Sequence, residues 1–188
     1  MHEQNNIYFA GTTRDNQNIF YTEKGVKRFT DEQKKLIAEA LPHITYKYFP
    51  LIYTFSFNRL VGITSLVEVE DDKKDCMFWV YRKSKTKWKV PAFFSTSPIS
   101  PRWTTYMTMI FQRRGEKIFV VTCYFGKRVP PLPCNPIARV RGNAFVESCQ
   151  EFWRNHALII NPNDIDIERT LETLNAEESA RFLNLINA

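Results

Sequence analysis

The spacing of apolar and polar positions changes several times along the chain, and each change marks an element. Ile7–Thr12 and Asn18–Thr22 are short β-prone runs flanking the polar segment Arg14-Asp15-Asn16-Gln17, which predicts an N-terminal hairpin. A helix follows. Thr30 and Gln33 have capping-box spacing, and Leu36, Ile37, Ala40 and Leu41 form an apolar stripe at helical period. Pro42 ends it.

From Ile44 onward the pattern is that of strands. Ile44 to Phe55 is aromatic and β-branched, with Pro50 marking an edge, a bulge or a break. Leu60 to Glu70 is rich in Val, Ile and Thr. Asp71 to Asp75 reads as a charged turn and Cys76 to Arg82 as the returning strand of a hairpin. Lys83 to Lys89 is a basic run interrupted by Trp88, and Ser95 to Pro101 is a loop.

The clearest alternation comes next. In Trp103 to Gln112, Thr105, Met107, Met109 and Phe111 share one face. In Lys117 to Phe125, Phe119, Val121, Cys123 and Phe125 share one face, and Ile118, Val120, Thr122 and Tyr124 the other. Arg113-Arg114-Gly115-Glu116 is the expected turn of this hairpin. Val129 to Pro136 holds four of the ten prolines and reads as a rigid, extended connection. Asn143 to His156 predicts a second helix with Phe145, Cys149, Phe152 and Trp153 on its apolar face. Asn161-Pro162-Asn163 is a turn. Asn175 and Glu178 cap a last helix, Ala176 to Asn187, which buries Phe182, Leu185 and Ile186.

Runs of strands kept apart from helices predict an α+β fold. We expect an antiparallel sheet of about five strands, preceded by a hairpin and one helix, with two C-terminal helices. Residues 1–142 are expected to form the sheet domain with its basic middle, and residues 143–188 a helical extension packed on the same domain.

Composition narrows the class. With 44% hydrophobic and 14% aromatic residues, the chain has material for a packed core, which argues against disorder. No apolar stretch reaches the roughly 18 residues of a membrane span. Met1 to Asn6 lacks the apolar run of a signal peptide, so a cytoplasmic protein without membrane association is expected. Cys76, Cys123, Cys134 and Cys149 show no CxxC spacing and read as small hydrophobes. No cofactor and no metal are expected.

Charge adds a partner. The net charge is +6, and between Tyr81 and Arg141 there are thirteen basic residues against one acid, Glu116. From Glu147 to Ala188 there are eight acids against three basic residues. Such asymmetry points to a phosphate-bearing partner, RNA or another nucleic acid. Trp88, Trp103, Tyr106 and Tyr124 interleave with Arg102, Arg113, Arg114 and Lys117, and rings beside cations are what single-stranded nucleic acids require. Lys47, Trp88, Arg113, Arg114 and Lys117 are the candidate RNA contacts.

Catalytic candidates are few. Dinucleotide, P-loop, metalloprotease and serine-hydrolase signatures are missing. Of the three histidines, His43 stands at the junction between the first helix and the first long strand, where it could move protons near neutral pH. His156 falls at the expected end of a helix, and His2 near the N-terminus. Thr122 sits in a hydrophobic strand and could hydrogen-bond a phosphate if it lines a cleft.

The strand Val120-Val121-Thr122-Cys123-Tyr124-Phe125-Gly126, following a helix and an antiparallel sheet, resembles the barnase/EndoU/colicin/RelE-like ribonuclease superfamily, whose phage and toxin members carry a similar late strand. Cys123 and Phe125 stand where alanine and proline are common in it. The resemblance covers about Thr30 to Pro136 and implies metal-independent cleavage of RNA by in-line attack of the 2′-hydroxyl. It places the Thr-x-Tyr motif on Thr122 and Tyr124 and the histidine after the first helix on His43. Arg102 is added here as the phosphate clamp; the motif does not fix it. A second histidine of the sheet region has no counterpart. Two functions are therefore expected in competition: a metal-independent ribonuclease of phage or toxin type, and a non-enzymatic nucleic-acid-binding or protein-interaction accessory protein. A protein partner or inhibitor fits either.

Overall fold

Thr30 opens the first helix as its sequence requires. Its hydroxyl accepts from the Gln33 backbone N–H at 3.2 Å, and the Gln33 side chain accepts from the Thr30 N–H at 3.0 Å. Such a cap contributes about 1 kcal/mol. The helix then buries Leu36, Ile37 and Ala40, each apolar side chain of Leu or Ile size contributing about 1.5–3 kcal/mol.

The computed structural model describes residues 6–22, 29–46, 51–84, 88–97 and 99–187. In chain order the elements are β1 (Ile7–Thr12), β2 (Asn18–Thr22), α1 (Asp31–Ala40), β3 (Ile52–Ser56), β4 (Gly62–Ile63), β5 (Leu66–Glu68), β6 (Met77–Val80), β7 (Val90–Phe93), β8 (Trp103–Thr104), β9 (Tyr106–Arg114), β10 (Lys117–Phe125), α2 (Pro136–Val140), α3 (Asn143–Asn155), β11 (His156–Ile159), α4 (Ile167–Leu171) and α5 (Ala176–Ile186). The fold is α+β, and no helix among the described residues is long and apolar enough to cross a membrane.

The chain divides into two compact units, each made of two segments: Met1–Thr64 with Trp103–Arg128, and Ser65–Arg102 with Val129–Ala188. The division does not fall at residue 142. A strand missed by the pattern is one reason. Residues 156–159 form β11, which pairs with β5 and β7 and so ties the helical C-terminal part to the middle of the chain.

The first unit is a five-stranded sheet in the order β1-β2-β10-β9-β3, with the small β4–β8 pair beside it. All its pairs in the large sheet are antiparallel except β2 with β10, which run parallel. One face packs on α1, where Leu36, Ile37 and Leu41 meet Ile19, Met107, Met109, Phe111, Ile118 and Val120. We call the opposite side the outer face.

Strand β10 does not alternate strictly. Its register to β9 shifts between Val120 and Thr122, because Val120 pairs with Phe111 but Thr122 pairs with Ile110. This bulge lets Ile118 and Val120 face α1, and then Cys123 and Phe125 face it too. Sequence alternation grouped Phe119, Val121, Cys123 and Phe125 on one face, and the bulge corrects that: Phe119 lies on the outer face and Cys123 and Phe125 on the inner one.

The second unit is a four-stranded sheet in the order β5-β11-β7-β6. The expected hairpin of residues 60–70 with 76–82 does not form: β6 pairs with β7, and β5 with β11. The run from Leu60 to Glu70 splits into β4 and β5, which join different sheets. Pro91 sits inside β7, but the parallel ladder to β11 starts at Ala92, so its missing N–H interrupts no pairing there. On one face of this sheet Phe78, Val80, Val90 and Ala92 close around Phe182 of α5.

Candidate nucleic-acid interface

Strand register builds a row of phenylalanines across three strands of the first unit. Phe9 of β1 pairs with Phe20 of β2, and Phe20 pairs with Phe119 of β10. The ring centroids are 5.9 Å and 6.1 Å apart in turn, within the range of favourable aromatic pairs. Phe9 is 59% exposed, Phe20 half-buried and Phe119 buried, so the row opens toward solvent at β1.

Cations stand over this row. Gly115, at φ 60°, turns β9 into β10 and sets Arg114 opposite Lys117. The Lys117 ammonium lies 5.5 Å from the Phe20 centroid and the Arg114 guanidinium 5.5 Å from that of Phe119. Arg114 also donates to the Gln112 amide oxygen at 3.3 Å. These are cation–π distances. At the other end of the sheet Lys127 lies 4.7 Å from the Tyr106 ring. Arg114 and Lys117 are both exposed, so their charges reach solvent.

Arg113, one residue away, alternates to the other face. It pairs with Ile118, which packs toward α1, and its charge opposes the burial that pushes the Tyr46 phenol up. Lys47 lies outside the described residues. Trp88 belongs to the second unit, where it lines a cleft with Trp79, Tyr81 and Lys89. The basic stretch from Tyr81 to Arg141 is therefore divided between two units and, within the first, between two faces.

The expected catalytic residues are divided between the two units. His43 closes a 3-10 turn after α1 and stacks on Phe55 at 5.4 Å, and Phe55 packs into the core on the α1 side. Thr122 pairs with Ile110, and Tyr124 with Thr108, on the outer face. His43 and Thr122 thus act on opposite sides of the sheet. Arg102 belongs to the second unit and lines a cleft of about 570 Å³ with Glu68, Glu70, Asp71 and Asn155. A phosphate entering this cleft would meet three carboxylates beside the guanidinium. The Lys73 hydrogen bond, and in smaller part the Arg102 charge, holds the Glu70 carboxyl below its ordinary range.

Near Thr122 the chemistry is structural. The buried Thr108 hydroxyl donates to the Gly126 carbonyl at 2.8 Å and stands 2.8 Å from the Thr54 hydroxyl. Having spent its only hydrogen on Gly126, Thr108 accepts from Thr54. His156 likewise begins β11, stacks on Phe152 at 4.0 Å and bonds the Phe152 carbonyl oxygen through Nδ1 at 2.9 Å.

The thiols are free. Burial pushes that of Cys123 up to about 12, which keeps it protonated and unreactive at neutral pH. Among the described residues no group of three or more His, Cys, Asp or Glu side chains gathers to hold a metal ion.

The pattern missed Phe9, Phe20 and Phe119. An irregularity in β1 between Phe9 and Gly11 sets Phe9 opposite Phe20, and the parallel pairing of β2 with β10 joins residues about a hundred positions apart; neither leaves a local signal. Comparison with protein-family models, curated proteins and solved structures finds no match to this chain.

Proposed function

We propose that the first unit binds single-stranded nucleic acid, RNA foremost, across the outer face of its sheet near β1, β2 and the β9–β10 hairpin, and does not cleave it. The observation that carries this is the Phe9–Phe20–Phe119 row with Lys117 and Arg114 standing over it. Bases stack on rings, and the phosphates that join them meet cations. Exposed Phe9 offers the first stacking surface, and Lys117 the first charge.

The cleavage reading asks for His43, Thr122 and Arg102 at one phosphodiester. His43 and Thr122 serve opposite faces, and Arg102 faces carboxylates, so binding is the better supported of the two functions. Fluorescence anisotropy with a labelled oligouridine tests it. Binding that weakens with salt and with Lys117→Gln supports the proposal; absence of binding at low salt contradicts it.

A further inference from the structure

We infer that the second unit carries a separate pocket for a mononucleotide, of the purine nucleoside monophosphate class. This goes beyond the strand-binding reading, which concerns the other unit.

The cleft holds about 470 Å³ and is lined by Trp79, Tyr81, Trp88, Lys89, Pro133, Cys134 and Gln150. That volume falls in the roughly 300–1,000 Å³ range of small-molecule sites. Trp79 and Tyr81 are two residues apart on one extended run, so they share the face opposite Phe78 and Val80, which fill the core. Trp88 and Lys89 arrive from the segment that leads into β7, and Gln150 from α3.

The walls are held before any ligand arrives. The Tyr81 N–H donates to the Thr170 hydroxyl at 3.1 Å, and its carbonyl accepts from the Asp166 N–H at 2.9 Å, which pins it to α4 and its cap. The Trp153 indole N–H reaches the carbonyls of Pro130 and Pro131, both at 3.2 Å, and fixes the proline segment that leads to Pro133 and Cys134. Fixed walls reduce the ordering cost of binding.

Three aromatic walls admit a flat ring or a cation. The charges decide between them. Lys89 lies 5.6 Å from the Tyr81 ring and Arg169 3.7 Å from it, and among the described residues the lining holds no carboxylate. A cationic guest would meet the like charge of Lys89, the one charged residue of the lining among the described residues. A planar base stacked on tryptophan, with a phosphate toward Lys89 and the Gln150 amide available to a base edge, meets a complementary one.

Calorimetric titration of the whole chain with AMP, adenosine and inorganic phosphate tests this. AMP should bind in saturable fashion and more tightly than adenosine or phosphate alone. Lys89→Gln should weaken AMP about tenfold and leave adenosine unchanged. Trp88→Leu, at a site 39% exposed, should weaken both ligands about tenfold with the circular dichroism unchanged. If Trp88→Leu disturbs the fold, Lys89→Gln alone decides. Absence of saturable AMP binding, or AMP binding that Lys89→Gln leaves unaltered, overturns the inference. Arg114→Gln with Lys117→Gln should not change AMP binding, so failure here and failure of strand binding are told apart.

Discussion

The Lys117 ammonium stands 5.5 Å from the Phe20 ring although the two residues are about a hundred positions apart. Parallel pairing of β2 with β10 brings them together, with Ile118 opposite Ile19 and Phe119 opposite Phe20. A point charge thus rests beside a stacking surface, and the first prediction concerns the charge. Lys117→Gln combined with Arg114→Gln should lower the salt slope of oligouridine binding by about 1.4, at about 0.7 per phosphate contact on a single strand. A slope equal to that of the wild type would remove both residues from the interface.

The second prediction concerns the rings. Phe9 is 59% exposed on edge strand β1 but pairs with Phe20, so Phe9→Ala should lower stability by only about 0.5–1.5 kcal/mol. It should weaken oligouridine by about 1–3 kcal/mol, the value of one base stacked on an aromatic ring. Chemical denaturation and anisotropy on the same sample separate the two effects.

Thr108 and Thr122 should behave oppositely. Thr108→Val removes the donor to Gly126 and the acceptor for Thr54 from a fully buried site, and should cost about 1–3 kcal/mol in urea unfolding. Thr122→Val, half-buried on β10, exchanges one good strand former for another and should cost less than about 0.5 kcal/mol. Equal losses at both positions would contradict the assignment of Thr108 as the structural hydroxyl.

Cys123 gives a pH signature. Its folded thiol is pushed up to about 12 from an ordinary 9.0 by burial. A raised folded value means its contribution to stability is complete below pH 9.0 and is lost as pH rises toward 12, since only the unfolded chain readily releases the proton. Cys123→Ala should flatten that alkaline part of the stability profile relative to the wild type. An unchanged profile would show that the thiol ionises equally well in the folded protein.

The inner face of the first sheet was open to pattern reading in large part. Met107, Met109, Phe111, Leu36 and Ile37 follow their periods and all reach the core, and both capping boxes form at Thr30 and Asn175. What the pattern concealed was non-local. The bulge at Val121 reverses the faces of the residues after it, because an inserted residue in a strand leaves no mark on composition. The split of Leu60 to Glu70 between two sheets, and the four-residue strand β11 directly after α3, depend on partners far along the chain. The candidate site suffered most. His43 and Thr122 carried suitable chemistry, but only three-dimensional register shows that they serve opposite faces.

One measurement bears most directly on the central claim: labelled oligouridine is incubated with the purified chain in EDTA, anisotropy is followed from low to high salt, and the RNA is then run on a denaturing gel. The account predicts salt-sensitive binding, weakened by Phe9→Ala and by Lys117→Gln, with the RNA recovered intact. RNA cut to 2′,3′-cyclic phosphate ends by the wild type and left whole by His43→Ala would contradict it, and so would the absence of binding at low salt.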